Sequence, residues 1–307
     1  MKTHRNLGFI IPFLHCAALA VAQTHVPEPP VNLGDTSFFD GVAGPGIVVE
    51  EIGDSAHSKV IVDAKGHEVP GTGRVNSISS LTHIAWLSRY RVGGGWYGAE
   101  VVVAAAHVNA GPGSTAGGLG DLTVSPLILQ WNEKKLGTVA FDQRVVFDFD
   151  LPVGEYSQNT NLSLSSHAYT VHPYYAMTAF PLKRLETSWR VHYLWSSENA
   201  EPPKSFDTKS TQAGQAIHFN STLSYGLGKH LWVGGNGYFL KQISDPKIDG
   251  IAHRNSPEQV GALGPGAVWN HGQWFLYVNG YHELGAENRP TGNKLVLRVE
   301  KVFGKEG

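Results

Sequence analysis

The chain carries fifteen histidines, 26 acidic residues and 24 lysines and arginines, ample material for a catalytic or metal site. Their spacing does not build one. There is no H-E-x-x-H pair, no G-x-S-x-G elbow, and no glycine-rich loop leading into a helix to cradle phosphate. His15 falls in an N-terminal apolar run, and no two other histidines share a motif spacing with a third candidate ligand. Ser188 and His192 are the pair a barrel-type lipase would need, but they lie four residues apart on one extended segment. At about 3.3 Å per residue they are about 13 Å from each other, too far for a nucleophile and its base. Spacing therefore assigns no catalytic residue, no cofactor site and no metal ligand, and the expectation is a protein that is not an enzyme.

The charged residues follow a different order, with a period of two. In Leu185 to Ser196, the odd positions are Leu185, Thr187, Trp189, Val191, Tyr193 and Trp195, and Glu186, Ser188, Arg190 and His192 are among the even ones. Side chains alternate across a strand, so one face is apolar and the other polar. Val139 to Leu151 repeats this, with Phe141, Val145, Phe147 and Phe149 opposite Asp142, Arg144, Asp148 and Asp150, and Gln143 interrupting the apolar face. Gln215 to Leu227 sets Ile217, Phe219, Leu223 and Tyr225 against His218, Asn220, Thr222 and Ser224. Ile78 to Tyr90 and Trp232 to Lys241 alternate poorly. Runs of about twelve residues exceed the usual five or six of soluble strands and suffice for the nine to eleven that cross a bilayer at a tilt.

Those faces need elements to carry them. Strands are expected near 45–56, 76–90, 95–108, 119–131, 137–151, 162–179, 185–196, 214–227, 230–243, 257–269, 273–284 and 293–303. The intervals alternate between short (Gly93-Gly94, Gly228-Lys229) and long (His57 to Asn76, Ser197 to Ala213, Ser244 to Ser256). Short periplasmic turns, long outer loops and an even strand number describe an outer-membrane barrel, whereas a soluble sandwich has no reason to sort its loops by length. The expected fold is all-β: a single antiparallel transmembrane β-barrel of about 12 strands over residues 45–303, followed by a tail, 304–307. In the last strand Leu295, Leu297, Val299 and Phe303 share a face opposite Arg298 and Glu300, a pattern suited to the barrel assembly machinery. Lys301 falls on that apolar face near the strand's end, where its amine can snorkel to the headgroups.

The N-terminus reads as an export signal. Lys2, His4 and Arg5 precede an apolar run from Leu7 to Ala22 that closes on Ala20-Val21-Ala22, a signal-peptidase pattern. The only cysteine, Cys16, lies inside it, so the mature chain has no thiol and no disulfide. Removing Lys2 and Arg5 leaves 22 basic residues against 26 acidic ones, a net charge of −4, and nothing that would attract nucleic acid. Residues 23–44, Pro-rich and then Phe38-Phe39, form either a small plug in the lumen or a periplasmic arm.

Several segments resemble a family of outer-membrane proteins labelled for the phenol-degradation meta-pathway. They are Gly120-Asp121-Leu122-Thr123-Val124-Ser125-Pro126-Leu127, the closing run His282-Glu283 through Asn288-Arg289-Pro290-Thr291-Gly292, Asp63-x-x-Gly66 with Val69-Pro70, and Leu151-Pro152-Val153-Gly154-Glu155-Tyr156. Their order covers about Pro45 to Phe303. The resemblance implies a barrel for uptake of small aromatic or other hydrophobic compounds, with outer-membrane lipid and that solute as partners. A lipase-like barrel and a structural or adhesion barrel are the alternatives. Expected pore-lining residues are Asp142, Arg144, Asp148, Asp150, Glu186, Arg190, His192, His218, Glu283, Arg298 and Glu300. They serve either as ion-pair networks bracing the wall or as a polar constriction selecting solutes.

The signal pattern makes a direct prediction. Intact-mass measurement of protein extracted from membranes should place the mature N-terminus at Gln23. A chain still carrying Met1, or one acylated at Cys16, contradicts it.

Overall fold

The computed structural model describes residues 26–111 and 113–304. The processing site after Ala22, residues 23–25 and the tail residues 305–307 lie outside them. Twelve long antiparallel strands follow one another: β1 Gly46–Ile61, β2 Val75–Val92, β3 Gly95–Asn109, β4 Thr115–Leu136, β5 Val139–Leu151, β6 Tyr174–Leu182, β7 Leu185–Ser196, β8 Ala216–Gly226, β9 Leu231–Gln242, β10 Gln259–His271, β11 Trp274–Glu287 and β12 Pro290–Phe303. Each pairs with the next, and β12 returns to β1 from Ile47↔Phe303 to Ile61↔Pro290. The sheet is thus a closed barrel with no edge, the only sheet form whose backbone groups are all satisfied inside a bilayer.

The alternating faces fall as the pleat requires. On β7, Trp189 and Val191 are 46% and 42% exposed, while Arg190 and His192 are 7% and 2%. The apolar face looks outward to lipid and the polar face lines the lumen. A one-residue slip would reverse every one of them, so burial fixes the register. Lys301 lies on the outer face, its ammonium 4.7 Å from the Trp274 ring centre and 4.6 Å from that of Phe303, beside the periplasmic rim. Outward-facing Gln143 is satisfied by the Tyr175 hydroxyl at 2.7 Å.

Two departures from the sequence reading have physical causes. The sixth strand does not begin near 162; residues 162–169 fold over the outer mouth, where the Leu164 and Ser165 amides both donate to the Glu155 carbonyl. A two-residue strand, Thr170–Val171, continues β6 outward past His172 and Pro173, since proline has no N–H for the ladder. The last outer connection is not long, because β11 and β12 extend until only 288–289 separates them. The strands expected at 76–90 and 230–243 are present as β2 and β9 despite weak alternation. On β2, Ser80 and Thr82 face outward to hydrogen-bond the outward carboxylate of Glu51 on β1. On β9, Tyr238 and Leu240 face inward yet are apolar, because they pack on chain inside the barrel.

The segments that carry the family resemblance gather at the outer rim in two knots. Asp121 accepts from the Gly154 amide at 3.1 Å and from the Ser166 amide at 3.1 Å, joining the Gly120 and Gly154 motifs. Asp63 accepts from the amides of Lys65 and His67, which hold its carboxyl below the usual carboxylate range, and its carbonyl takes the Asn288 amide at 3.1 Å. Pro126 lies instead within β4, at an irregularity between Val124 and Leu127 where the ladder to β5 slips. A bulge is where a strand tolerates proline.

Spin labels test which face meets lipid. Labels on Trp189→Cys, Val191→Cys and Tyr193→Cys should be relaxed strongly by lipid-soluble oxygen, and a label on His192→Cys by neither oxygen nor a water-soluble nickel reagent. Protection from oxygen at all three odd positions would mean a dry protein core and no bilayer.

Candidate functional site

The lumen is occupied by the chain's own N-terminal arm, residues 26–45, which enters at the outer mouth and leaves at the periplasmic rim into β1. Polar groups tie it to strands all round the wall. The Gly34 amide donates to Asn220 at 3.0 Å on β8, and its carbonyl accepts from the Tyr281 hydroxyl at 2.8 Å on β11. Lys294 on β12 donates to the Leu33 carbonyl at 2.9 Å. The Phe39 amide reaches Glu186 on β7 at 3.2 Å, and the Gly41 amide reaches Thr178 on β6 at 2.8 Å. Gln130 on β4 donates to the Gly41 carbonyl at 2.8 Å. Gly34 has φ +81°, and a Cβ there would stand 2.7 Å from the Tyr281 ring, so only glycine lets the arm pass.

Apolar anchors alternate with these bonds. Leu33 packs with Tyr238, Leu240, Val260, Tyr281 and Val296. Phe38, wholly buried, sits with Val268 and Tyr277. Ala43 meets Leu87, Ile128 and Tyr174 near the periplasmic end. A fully buried phenylalanine is worth about 1.5–3 kcal/mol relative to exposure, so these anchors are a large part of what holds the arm.

The expected lumen residues separate into groups. Arg190 donates to both oxygens of Asp40, at 2.7 and 2.5 Å, and Arg144 reaches the same carboxylate at 3.0 Å. The Arg190 guanidinium also lies 4.2 Å from the Tyr174 ring centre. Arg298 pairs with Glu50 at 3.3 Å and stacks 3.6 Å from Tyr277, whose hydroxyl donates to Glu300 at 3.0 Å. His83 bridges Glu50 and Glu100. Glu186 accepts from Ser188 and Ser224. Glu283 accepts from Tyr238 at 2.8 Å and from the Gly292 amide. Asp148 and Asp150 both face His172, while His192 and His218 stack at 4.2 Å. Asp142 stands apart: it accepts from the Glu133 amide at the periplasmic turn and joins none of these groups.

Several partners were not selected from the sequence. Glu50, Asp54 and Lys294 share strand parity with inward neighbours, and that signal was available. Lys294 bridges Asp35 at 2.6 Å and Asp54 at 2.7 Å. Asp35 and Asp40 lie in the arm, where no periodicity marks them.

Two cavities flank the arm. The outer one, about 260 Å³, is walled by Val26, Pro27, Pro29, Leu162, Leu164 and Phe206. The periplasmic one, about 330 Å³, is walled by Phe39, Val42, Leu87, Ile128, Phe180 and Phe275, with Asp40, Glu50, His83, Glu100 and Arg298 at its edge.

Comparisons with known proteins agree with this architecture. The family described as "Putative MetA-pathway of phenol degradation" matches residues 58–299. The COG4313 outer membrane channel from Pseudomonas putida F1 is similar in fold, with a TM-score of 0.74 at 15% identity, covering 89% of this chain and 100% of that one. The transport unit of the autotransporter AIDA-I from Escherichia coli is similar with a TM-score of 0.54 at 7% identity, covering 94% and 97%. No curated protein sequence matches the chain.

Asp40 is the point at which the arm can be released without touching the wall. Breaking a buried ion pair by removing one partner costs about 3–5 kcal/mol. Asp40→Ala should therefore loosen the arm while the barrel itself stays folded. The measurement is limited proteolysis of the detergent-solubilised protein: cleavage within residues 26–45 should be much faster than in wild type, with the unboiled gel mobility of the barrel unchanged.

Proposed function

The chain belongs to this phenol-degradation family of outer-membrane barrels, and from that premise we propose that it is a channel for uptake of small aromatic or other hydrophobic compounds, closed in its resting form by the arm. The observation that carries the reading is the pair of largely apolar cavities beside the arm, one toward each end of the lumen. The cavities, about 260 and 330 Å³, lie at the bottom of the range for small organic ligands, which begins at about 300 Å³, so they have the size of a single ring compound and are too small for an oligosaccharide. A wide aqueous pore would present a polar wall throughout; here Leu162, Phe206, Phe180 and Phe275 meet the solute instead.

In this reading the lumen charges do two jobs. Arg144, Arg190, Glu186, Arg298 and Glu300 hold the arm and brace the wall through complementary pairs, and Glu283 does the same near the outer rim. Being paired with one another, they offer little net charge to attract an ionic solute, which favours a neutral one. Asp142, engaged by the Glu133 amide at the periplasmic turn, is left out of the proposed path. A hydrolase is less well supported. The Ser188 hydroxyl faces the lumen and is held by Glu186 and Thr178, away from lipid acyl esters.

Pinning the arm tests the reading. Asn279 donates to the Ser37 hydroxyl at 3.0 Å, so Ser37→Cys with Asn279→Cys sets two thiols within reach of a short bifunctional thiosulfonate cross-linker in a mature chain expected to have no other. In proteoliposomes, influx of labelled phenol should fall severalfold when the pair is cross-linked and recover on reduction. Equal influx in both states removes the arm from the path, and no influx above protein-free vesicles removes the channel.

A further inference from the structure

The expected channel leaves one group of lumen residues without a task. His192 is 2% exposed, and apart from a loose approach to the backbone of His172, neither of its ring nitrogens has a partner. Buried polar atoms are nearly always satisfied, and an imidazole with no partner costs about 1–3 kcal/mol. Around it lie a carboxylate and a second imidazole: one ligand atom from each of Asp148, His172 and His192 lies within 4.8 Å of the other two. The three come from β5, the His172-Pro173 break in β6, and β7, which is why no sequence spacing joins them.

The surroundings are those of a metal centre. His172 Nε2 is 3.0 Å from Asp150 Oδ1, so a proton on Nε2 is held by that carboxylate and the Nδ1 lone pair is left facing Asp148 Oδ2, 3.7 Å away. A carboxylate behind a histidine fixes the tautomer and raises the basicity of the free nitrogen, the usual arrangement behind metal-bound imidazoles. Asp148 is oriented in turn, since the Ser125 hydroxyl donates to its other oxygen. His218 stacks on His192 at 4.2 Å with 13° between the rings, and Tyr174 lies 4.7 Å from it on another side. Parallel stacked rings cannot aim lone pairs at one ion, so His218 positions His192 and is not itself a ligand. Arg190, the nearest cation on β7, is already neutralised by Asp40.

We propose that Asp148, His172 and His192 bind one divalent transition-metal ion of the zinc type on the lumen wall, with Asp150, Ser125 and His218 as positioning residues. Two nitrogens and one carboxylate oxygen suit zinc and its first-row neighbours, and disfavour calcium and magnesium, which take oxygen ligands. With metal–ligand lengths near 2.1 Å, tetrahedral ligands stand about 3.4 Å apart. The present spread closes to that with a shift of between one and two ångströms, within reach of side-chain rotation.

The test does not depend on transport. Full-length barrel in detergent, stripped with chelator, is titrated with zinc chloride by calorimetry and with cobalt(II) by visible absorption. One ion per barrel should bind, and cobalt should give the d–d bands of a nitrogen-ligated ion. His192→Gln and Asp148→Asn should abolish binding, and Asp150→Asn should weaken it by about 10–100-fold, as loss of an orienting carboxylate does. His230→Gln with His271→Gln, at the periplasmic rim, should bind as wild type. No binding by the wild-type barrel, binding equal in His192→Gln and Asp148→Asn, or binding lost only in the rim variant would each overturn the proposal. Should a ligand variant fail to give the heat-modifiable barrel, the cobalt spectrum of the wild type decides, and the absence of d–d bands overturns it.

Discussion

A single carboxylate of the arm, Asp40, lies between the guanidinium groups of Arg144 and Arg190, and the rest of the interior is arranged around that contact. Two arginines on β5 and β7, either side of Ala176 on β6, repel one another in a confined lumen, and burying either without a counter-charge is costly. Asp40 resolves both problems, but only if the arm runs up the barrel at the right height. That placement sets Phe38 against Val268 and Tyr277 on one side and Gly41 against Thr178 on the other. The wall and the arm are therefore mutually dependent: the wall has charges that need the arm, and the arm has apolar side chains that need the wall.

Barrel size explains why an arm is there at all. Eight strands enclose a space that side chains fill, and sixteen leave an aqueous channel. Twelve strands fall between, leaving room for about one extended chain. The arm fills that room with polar bonds on some strands and apolar packing on others. The lumen is consequently neither uniformly polar nor uniformly greasy. The polar groups specify one register for the arm, and the apolar ones supply much of the adhesion. Beside the arm, toward each end, a largely apolar cavity remains.

The outer surface obeys a simpler rule. Lipid accepts the apolar face and rejects unsatisfied polar groups, so each exception carries its own remedy. Gln143 takes a hydrogen bond from Tyr175, Glu51 from Ser80 and Thr82, and Lys301 sits among Trp274 and Phe303 where its amine meets headgroups. The segments that carry the family resemblance lie mostly at the outer rim, where Asp63 and Asp121 each collect backbone amides and tie loops together.

The sequence by itself determined the barrel. Alternation over Leu185 to Ser196 and Val139 to Leu151, taken with the length of the runs and the sorting of short and long connections, pointed to a closed sheet with lipid outside, and it assigned Arg144, Arg190 and His192 to the inside because strand parity is local. Parity also reached Asp148, Asp150, Glu186, His218, Arg298 and Glu300. It was weak on β2 and β9, where Ser80 and Thr82 answer to Glu51 on the adjacent strand and Leu240 to the arm rather than to a medium. What the inward residues touch was decided only by the tertiary structure. Asp40 lies 150 residues from Arg190 in a segment with no period to read, and Asp148, His172 and His192 meet only because three strands are laid side by side. Local pattern records which face a residue is on; distance between faces is a property of the closed fold.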